Sequence, residues 1–263
     1  NGRVALSEGR LGEAIDHPRW LTGDANGDGR DDLLAYDPAN GLLTVALSDG
    51  DGQFAVTRSA LPAGLHLQLA VPSRRHAGRA LLVGYSRDTG EGLVALVLLD
   101  GRVTAMQTGD WGTGWQVLAL TPGVQGTVTL LFYDDRTGAA ELRMMGDTER
   151  PLLASATWPL HLSLARTDLN GDGQDDVLGY DAVSGRWLQT VLLPASEAIE
   201  LSGAWATGWS LAVGDLDGDG LDDVLLLDPV TGIMVEAKTL APGVATFTTR
   251  AVEPGMALVG APR

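Results

Sequence analysis

The chain has 263 residues, 44% of them hydrophobic and 35 of them glycine, which suits one large, turn-rich domain with its own core. Its formal net charge of −16 argues against nucleic acid and anionic membrane surfaces as partners. No apolar run is long enough to insert into a membrane, and the absence of cysteine excludes disulfides and thiol chemistry.

In chain order, the sequence starts at Asn1 rather than Met, which reads as a processed or excised segment without its targeting information. Val4-Ala-Leu-Ser7 is a first strand signal. The segment Asp24-Ala-Asn-Gly-Asp-Gly-Arg-Asp-Asp32 opens a pattern that then recurs. One strand is predicted before this loop, one at Asp32–Tyr36 after it, one at Leu43–Leu47 after Asn40-Gly41, and one at Phe54–Thr57 after an Asp-Gly turn. The second period is eroded: Ser73 stands for Asp24, and Ala80–Tyr85 leads to Thr89-Gly90. The third has Thr121 as anchor, then Thr129–Tyr133, Asp134 and Thr137-Gly138. The fourth runs from Asp168 to Tyr180-Asp181 and Ser184-Gly185. The fifth begins with strand Ser210–Val213 and runs from Asp215 to Leu227-Asp228 and Thr231-Gly232.

The anchors 24, 73, 121, 168 and 215 are spaced by 49, 48, 47 and 47 residues. Four short strands per period of this length is the size of a propeller blade, and no sustained 3.6-residue periodicity supports a substantial helix. Met256–Gly260 matches Ser210–Gly214, and Val4–Ser7 matches the third-strand segment Val45–Ser48. The expectation is an all-β propeller over 1–263 as a single domain. It would have six blades, one split between the termini, with five or seven blades as alternatives.

Residues 24–32, 168–176 and 215–223 hold 13 of the 34 acidic residues and one basic residue, Arg30. Charge packed this way calls for a cation. In the first segment Asp24, Asn26, Asp28 and Asp32 present oxygens at alternate spacing, and the carbonyl of Arg30 adds another. The equivalents are Asp168, Asn170, Asp172, Gln174 and Asp176, then Asp215, Asp217, Asp219, Leu221 and Asp223. Calcium takes six to eight hard oxygens, so about three Ca2+ sites are expected; zinc favours nitrogen or sulfur and magnesium a stricter octahedron. The third loop has the most carboxylates and is expected to bind most tightly. An EF-hand fails because position 12 is Ala35, Gly179 or Leu226 rather than Glu. The adjacent Asp31 is expected to point outward. The eroded loops, with Ser73, Arg75, Ala77 and Leu81 or Thr121, Gly123, Gln125 and Thr129 at ligand positions, should not bind calcium; Arg74, Arg75 and Arg79 read as a solvated basic turn.

The run Asp168-Leu-Asn-Gly-Asp-Gly-Gln-Asp-Asp-Val-Leu-Gly-Tyr-Asp181 and its two siblings resemble the FG-GAP/VCBS repeat family. That resemblance implies integrin-like β-propellers with calcium on blade loops, in extracellular adhesion and in lectins. A Phe-Gly before the loop is lacking, which sets this chain apart from integrin-type repeats.

Seven tryptophans occur, and Trp111, Trp158 and Trp205 fall in repeat register, as do His17, His66 and His161. Large rings of this kind fill wedges between blades, or else stack on sugars from a rim. Trp115 and Trp209 lead directly into apolar strands and are expected to be buried, with Trp111 and Trp205 nearer the surface and, with Trp158, candidates for ligand contact. No nucleophile motif, P-loop or metalloprotease signature is present, so an enzyme is not expected. The expected function is an extracellular or cell-surface binding module, bacterial in origin, that recognises a glycan. The alternative is a protein-binding or adhesive scaffold within a larger surface protein or toxin.

Overall fold

The computed structural model describes residues 18–71, 80–122, 127–146, 151–193 and 197–258. These form five four-stranded antiparallel sheets. The first contains β1 (Arg19–Gly23), β2 (Asp32–Tyr36), β3 (Leu42–Ser48) and β4 (Phe54–Ala60). The second contains β5 (His66–Ala70), β6 (Leu81–Tyr85), β7 (Glu91–Val97) and β8 (Val103–Asp110). The third has β9 (Gln116–Pro122), β10 (Val128–Tyr133), β11 (Ala139–Met145) and β12 (Leu152–Thr157). The fourth has β13 (Ser163–Thr167), β14 (Asp176–Tyr180), β15 (Arg186–Leu192) and β16 (Ala198–Ala204). The fifth has β17 (Ser210–Gly214), β18 (Asp223–Leu227), β19 (Ile233–Ala241) and β20 (Val244–Ala251).

In every sheet the strands lie side by side in sequence order, joined by short connections. Burial grades across each sheet. The second strands β6 and β14 are buried at every position, whereas the fourth strands β4 and β20 are mostly exposed. A strand buried on both faces reads as a continuous apolar run, and Leu81-Leu-Val-Gly-Tyr85 is such a run.

The chain divides into two compact units. One comprises Asn1–Gly114 with Thr121–Thr129 and Met144–Pro151; the other comprises Trp115–Leu120, Leu130–Arg143 and Leu152–Arg263. In the first, Tyr36, Leu43 and Val45 pack with Leu65, Leu67, Leu82 and Leu93, so one core joins the first and second sheets. In the second, Tyr133, Leu142 and Trp158 pack with Leu162, Leu164 and Leu188 between the third and fourth sheets. A further core joins Leu178 and Tyr180 to Leu211 and Leu226.

Two devices tie sheets to the segments that follow them. The turn glycines Gly41, Gly138, Gly185 and Gly232 have φ of 77°, 76°, 76° and 72°. A Cβ on Gly138 would lie 2.3 Å from the Trp158 carbonyl oxygen, so only glycine fits. The Gly138 carbonyl in turn accepts the Trp158 N–H at 2.8 Å. The second device is a phenol. Tyr36, Tyr133 and Tyr180 each donate at 2.5 Å to the carbonyls of Pro62, Pro159 and Ala206, and Tyr85 donates to Gly112 at 2.7 Å. Those are all four tyrosines of the chain, at one register position, where the fifth sheet has Leu227.

The strand expectations match β2, β3, β4 and β17 to within a few residues. Of the split blade, Val4–Ser7 lies outside the described residues, as do Val259 and Gly260; Met256–Leu258 are irregular. Ser73, Arg74, Arg75, Ala77, Arg79, Gly123, Gln125 and His17 also lie outside them. Among the described residues no helix is long and apolar enough to cross a membrane.

Candidate metal centre

The three acidic loops connect the first strand of a sheet to its second, and all three fold alike. The first acid of each loop caps the turn. Asp24 accepts the N–H groups of Gly27 at 2.8 Å, Asp28 at 3.0 Å and Gly29 at 2.8 Å. Asp168 accepts Gly171 and Gly173 at 2.7 and 2.9 Å, and Asp215 accepts Gly218 and Gly220 at 2.6 and 3.1 Å. Gly29, at φ 87°, turns the chain back so that its amide meets Asp24.

The third and fifth positions interlock. Asn26 accepts the Asp28 N–H at 3.0 Å and its amide donates to Asp28 at 3.3 Å; Asn170 and Asp172 repeat this at 2.9 and 3.1 Å. Asp28, Asp172 and Asp219 accept the N–H groups of Arg30, Gln174 and Leu221, so these three loop-tip residues are held by their backbones. The Arg30 guanidinium also reaches Asp28, at 3.4 Å.

The closing acid does more than the sequence suggests. Asp32, Asp176 and Asp223 are almost fully buried. One oxygen of each accepts the N–H of the loop's second residue: Ala25 at 3.0 Å, Leu169 at 2.9 Å, Leu216 at 3.1 Å. The other accepts an N–H at or near the end of the third strand: Ser48 at 2.9 Å, Leu192 at 2.8 Å, Thr239 at 2.8 Å. Each carboxylate thus fastens loop to sheet while keeping lone pairs for a cation. Burial pushes the Asp32 carboxyl above the usual range and lifts Asp176 to about 7, against the opposing pull of its two amide bonds.

Carboxylate oxygens of Asp215, Asp217 and Asp223 all lie within 4.8 Å of one another, the one such group of three His, Cys, Asp or Glu residues among the described residues. Asp219 is not part of it, and in the first two loops Asn26 and Asn170 take the place of Asp217. The donors are oxygen throughout, a set that fits calcium and not zinc.

Two residues of this site escaped the sequence reading. Lys238 Nζ lies 3.2 Å from Asp217 Oδ2, so the third loop's additional carboxylate already has a cationic neighbour. Its register equivalents are Leu47, Leu96, Met144 and Val191, so one basic residue in an apolar row was the available signal. Asp222 is the second. Its carboxylate accepts the Asp168 N–H at 2.8 Å while its own N–H donates to the Asp168 carbonyl at 2.8 Å, which joins the second and third loops. Its equivalent in the first loop, Asp31, is exposed as expected.

The expected tryptophan order is reversed at Trp111 and Trp115, and Trp205 and Trp209 do not differ in burial. Trp111 and Trp158 are 9% and 6% exposed, whereas Trp115, Trp205 and Trp209 are half-buried. Trp111, Trp158 and Trp205 all donate their N–H to a turn glycine, Gly90, Gly138 and Gly185, and each ring lies near its own sheet's tyrosine. Tyr85–Trp111, Tyr133–Trp158 and Tyr180–Trp205 ring centroids are 6.1, 6.1 and 5.9 Å apart. Trp115 packs edge-on against Phe132. His66 is exposed at the start of β5, and His161 occupies a turn at φ 64°.

Residues 207–226, which span the third loop, match the family model described as FG-GAP repeat. No curated protein matches the chain. Among solved structures, an Agrocybe aegerita lectin described as recognising non-reducing terminal N-acetylglucosamine is similar at TM-score 0.59 and 16% identity, over 90% of this chain and 66% of its own. A Lactobacillus plantarum protein is similar at TM-score 0.58 and 14% identity, over 84% of this chain and 68% of its own. The chain thus carries a segment similar to the FG-GAP repeat, and its five four-stranded antiparallel sheets are consistent with a β-propeller. At these identities the likeness to the two structures is one of fold, and this propeller spans just under two thirds of the lectin's length. The FG-GAP repeat coincides with the loop whose three carboxylates converge.

Proposed function

We propose that this chain is a calcium-stabilised extracellular binding module, not an enzyme, and that its ligand is a carbohydrate. The observation that carries the calcium reading is the convergence of Asp215, Asp217 and Asp223 in a loop whose architecture is repeated twice more. Asp24, Asn26, Asp28 and Asp32 would hold one ion, Asp168, Asn170, Asp172 and Asp176 a second, and the third loop another, with Arg30, Gln174 and Leu221 adding carbonyls. Calcium supplies counter-charge that lets the buried Asp32 and Asp176 carboxylates stay ionised. Carbohydrate recognition is supported by the fold shared with the lectin. The unbroken repeat register supports one propeller over 1–263, with six blades if the termini share one.

The test combines a melt with a ligand screen. A ligand bound only by the native state stabilises it by about 2.7 kcal/mol at a hundredfold excess over Kd. EGTA should lower the melting temperature, and magnesium should restore it poorly; an unchanged curve on metal-free protein defeats the calcium reading. A glycan array with calcium should give hits that EGTA removes. Silence there favours a protein-binding scaffold, a reading supported by the exposed Trp20, Phe54 and Phe247 on the outermost or leading strands.

A further inference from the structure

Facing strand pairs at one register position explain a cavity in the second unit. In the fourth sheet Trp187 on β15 pairs with Gly203 on β16, and the absent Gly203 side chain makes room for the indole: a Cβ there would lie 2.6 Å from the Trp187 ring. Trp187 then stacks on Trp205 at 5.3 Å. In the third sheet the same pair is Ala140 on β11 and Ala156 on β12. Two methyls stand where an indole fills the gap one sheet later. A cavity of about 420 Å³ opens there between the third and fourth sheets, walled by Leu, Val and Ala side chains.

Three polar side chains, Ser155, Thr190 and Glu200, interrupt that apolar wall. Thr190 is 2% exposed, and its hydroxyl has no hydrogen-bond partner. A buried hydroxyl left unsatisfied is costly. Glu200 is the direct cross-strand neighbour of Thr190, so the two side chains share a face. Glu200 is exposed at the rim, where its Oε1 accepts the Trp158 Nε1–H at 2.6 Å and its other lone pairs remain available.

We infer that this cavity is a binding site for a small, mostly hydrocarbon alcohol or phenol, its ring or chain on the Ala and Leu wall and its hydroxyl donating to Glu200 and meeting the Thr190 hydroxyl. The lining disfavours a monosaccharide, whose ring carries hydroxyls on every side that would be buried against alanine and leucine without partners.

Isothermal titration calorimetry with thymol, and with para-cymene as its hydroxyl-free analogue, tests this on the intact chain. Thymol should bind saturably and about fivefold or more tightly than para-cymene, the worth of one good hydrogen bond. Ala140→Trp with Ala156→Gly, which copies the neighbouring sheet's own pair, should abolish binding of both. Thr190→Val keeps the volume and should reduce thymol towards the para-cymene affinity; it keeps the test decisive if the double variant fails to fold. No saturable heat with thymol, undiminished binding in both variants, or displacement of thymol by N-acetylglucosamine would each overturn the assignment.

Discussion

At the scale of single residues, Asp176 combines two roles that a ligand count does not separate. Its side chain takes the amides of Leu169 and Leu192, so Asp176→Ala leaves two buried N–H groups unpaired. That should cost about 2–4 kcal/mol even in EGTA, read by denaturant melts, whereas Asp172→Ala, on an exposed side chain, should cost calcium affinity and little metal-free stability. Protonation adds a direction. The Asp176 carboxyl is raised from 3.8 to about 7 in the metal-free fold. Between those values the native state holds a proton that the unfolded chain has released, so metal-free stability should fall as pH rises through this window. Calcium competes with that proton, and its affinity at the second loop should weaken as pH drops below about 7. A pH-independent affinity across that range counts against the assignment. Lys238 bears on the third loop in the opposite sense. With Lys238 beside Asp217, the loop richest in carboxylates loses its advantage, and Lys238→Met should tighten its calcium binding about two- to fivefold in calorimetry.

Between elements, the reciprocal bonds of Asp168 and Asp222 make the second and third loops one mechanical piece. Ordering one by a cation orders the backbone of the other, so calcium should fill them cooperatively, with a coupling of about fivefold or more that Asp222→Ala removes. Independent binding isotherms in the parent chain would refute this. The elements themselves were legible in the sequence because turn chemistry fixes them: Asp-Gly and Thr-Gly pairs bound short apolar runs, and β2 begins and ends where the pattern placed it. The loop ligands were legible for the same reason. Trp111 and Trp158 were not, because they pack near Tyr85 and Tyr133, partners far off in sequence that no local pattern encodes. Lys238 and Asp222 act across strands and between loops, and the Ala140–Ala156 pair matters only against its Trp187–Gly203 counterpart. Contacts set by register become visible once the strands are paired.

For the whole molecule, the question is whether the two compact units melt together. If 1–263 is one propeller domain, as the repeat register supports, calorimetry should give a single transition that EGTA shifts as a whole. Two transitions, only one of them calcium-sensitive, would instead divide the chain near the unit boundary at Gly114 and Trp115.

The four phenols that latch each sheet to the next segment also give the protein an optical property. Tyr36, Tyr133 and Tyr180 are pushed above the ordinary tyrosine value of 10.0 by burial. The native state therefore keeps its phenolic protons in alkali that would ionise an unfolded chain, and its stability is lost as pH climbs beyond that value. As alkali is added, the phenolate absorbance of these three should lag behind that of an unfolded chain and rise together with loss of the sheet signal in circular dichroism. That rise in ultraviolet absorbance would report the latches opening.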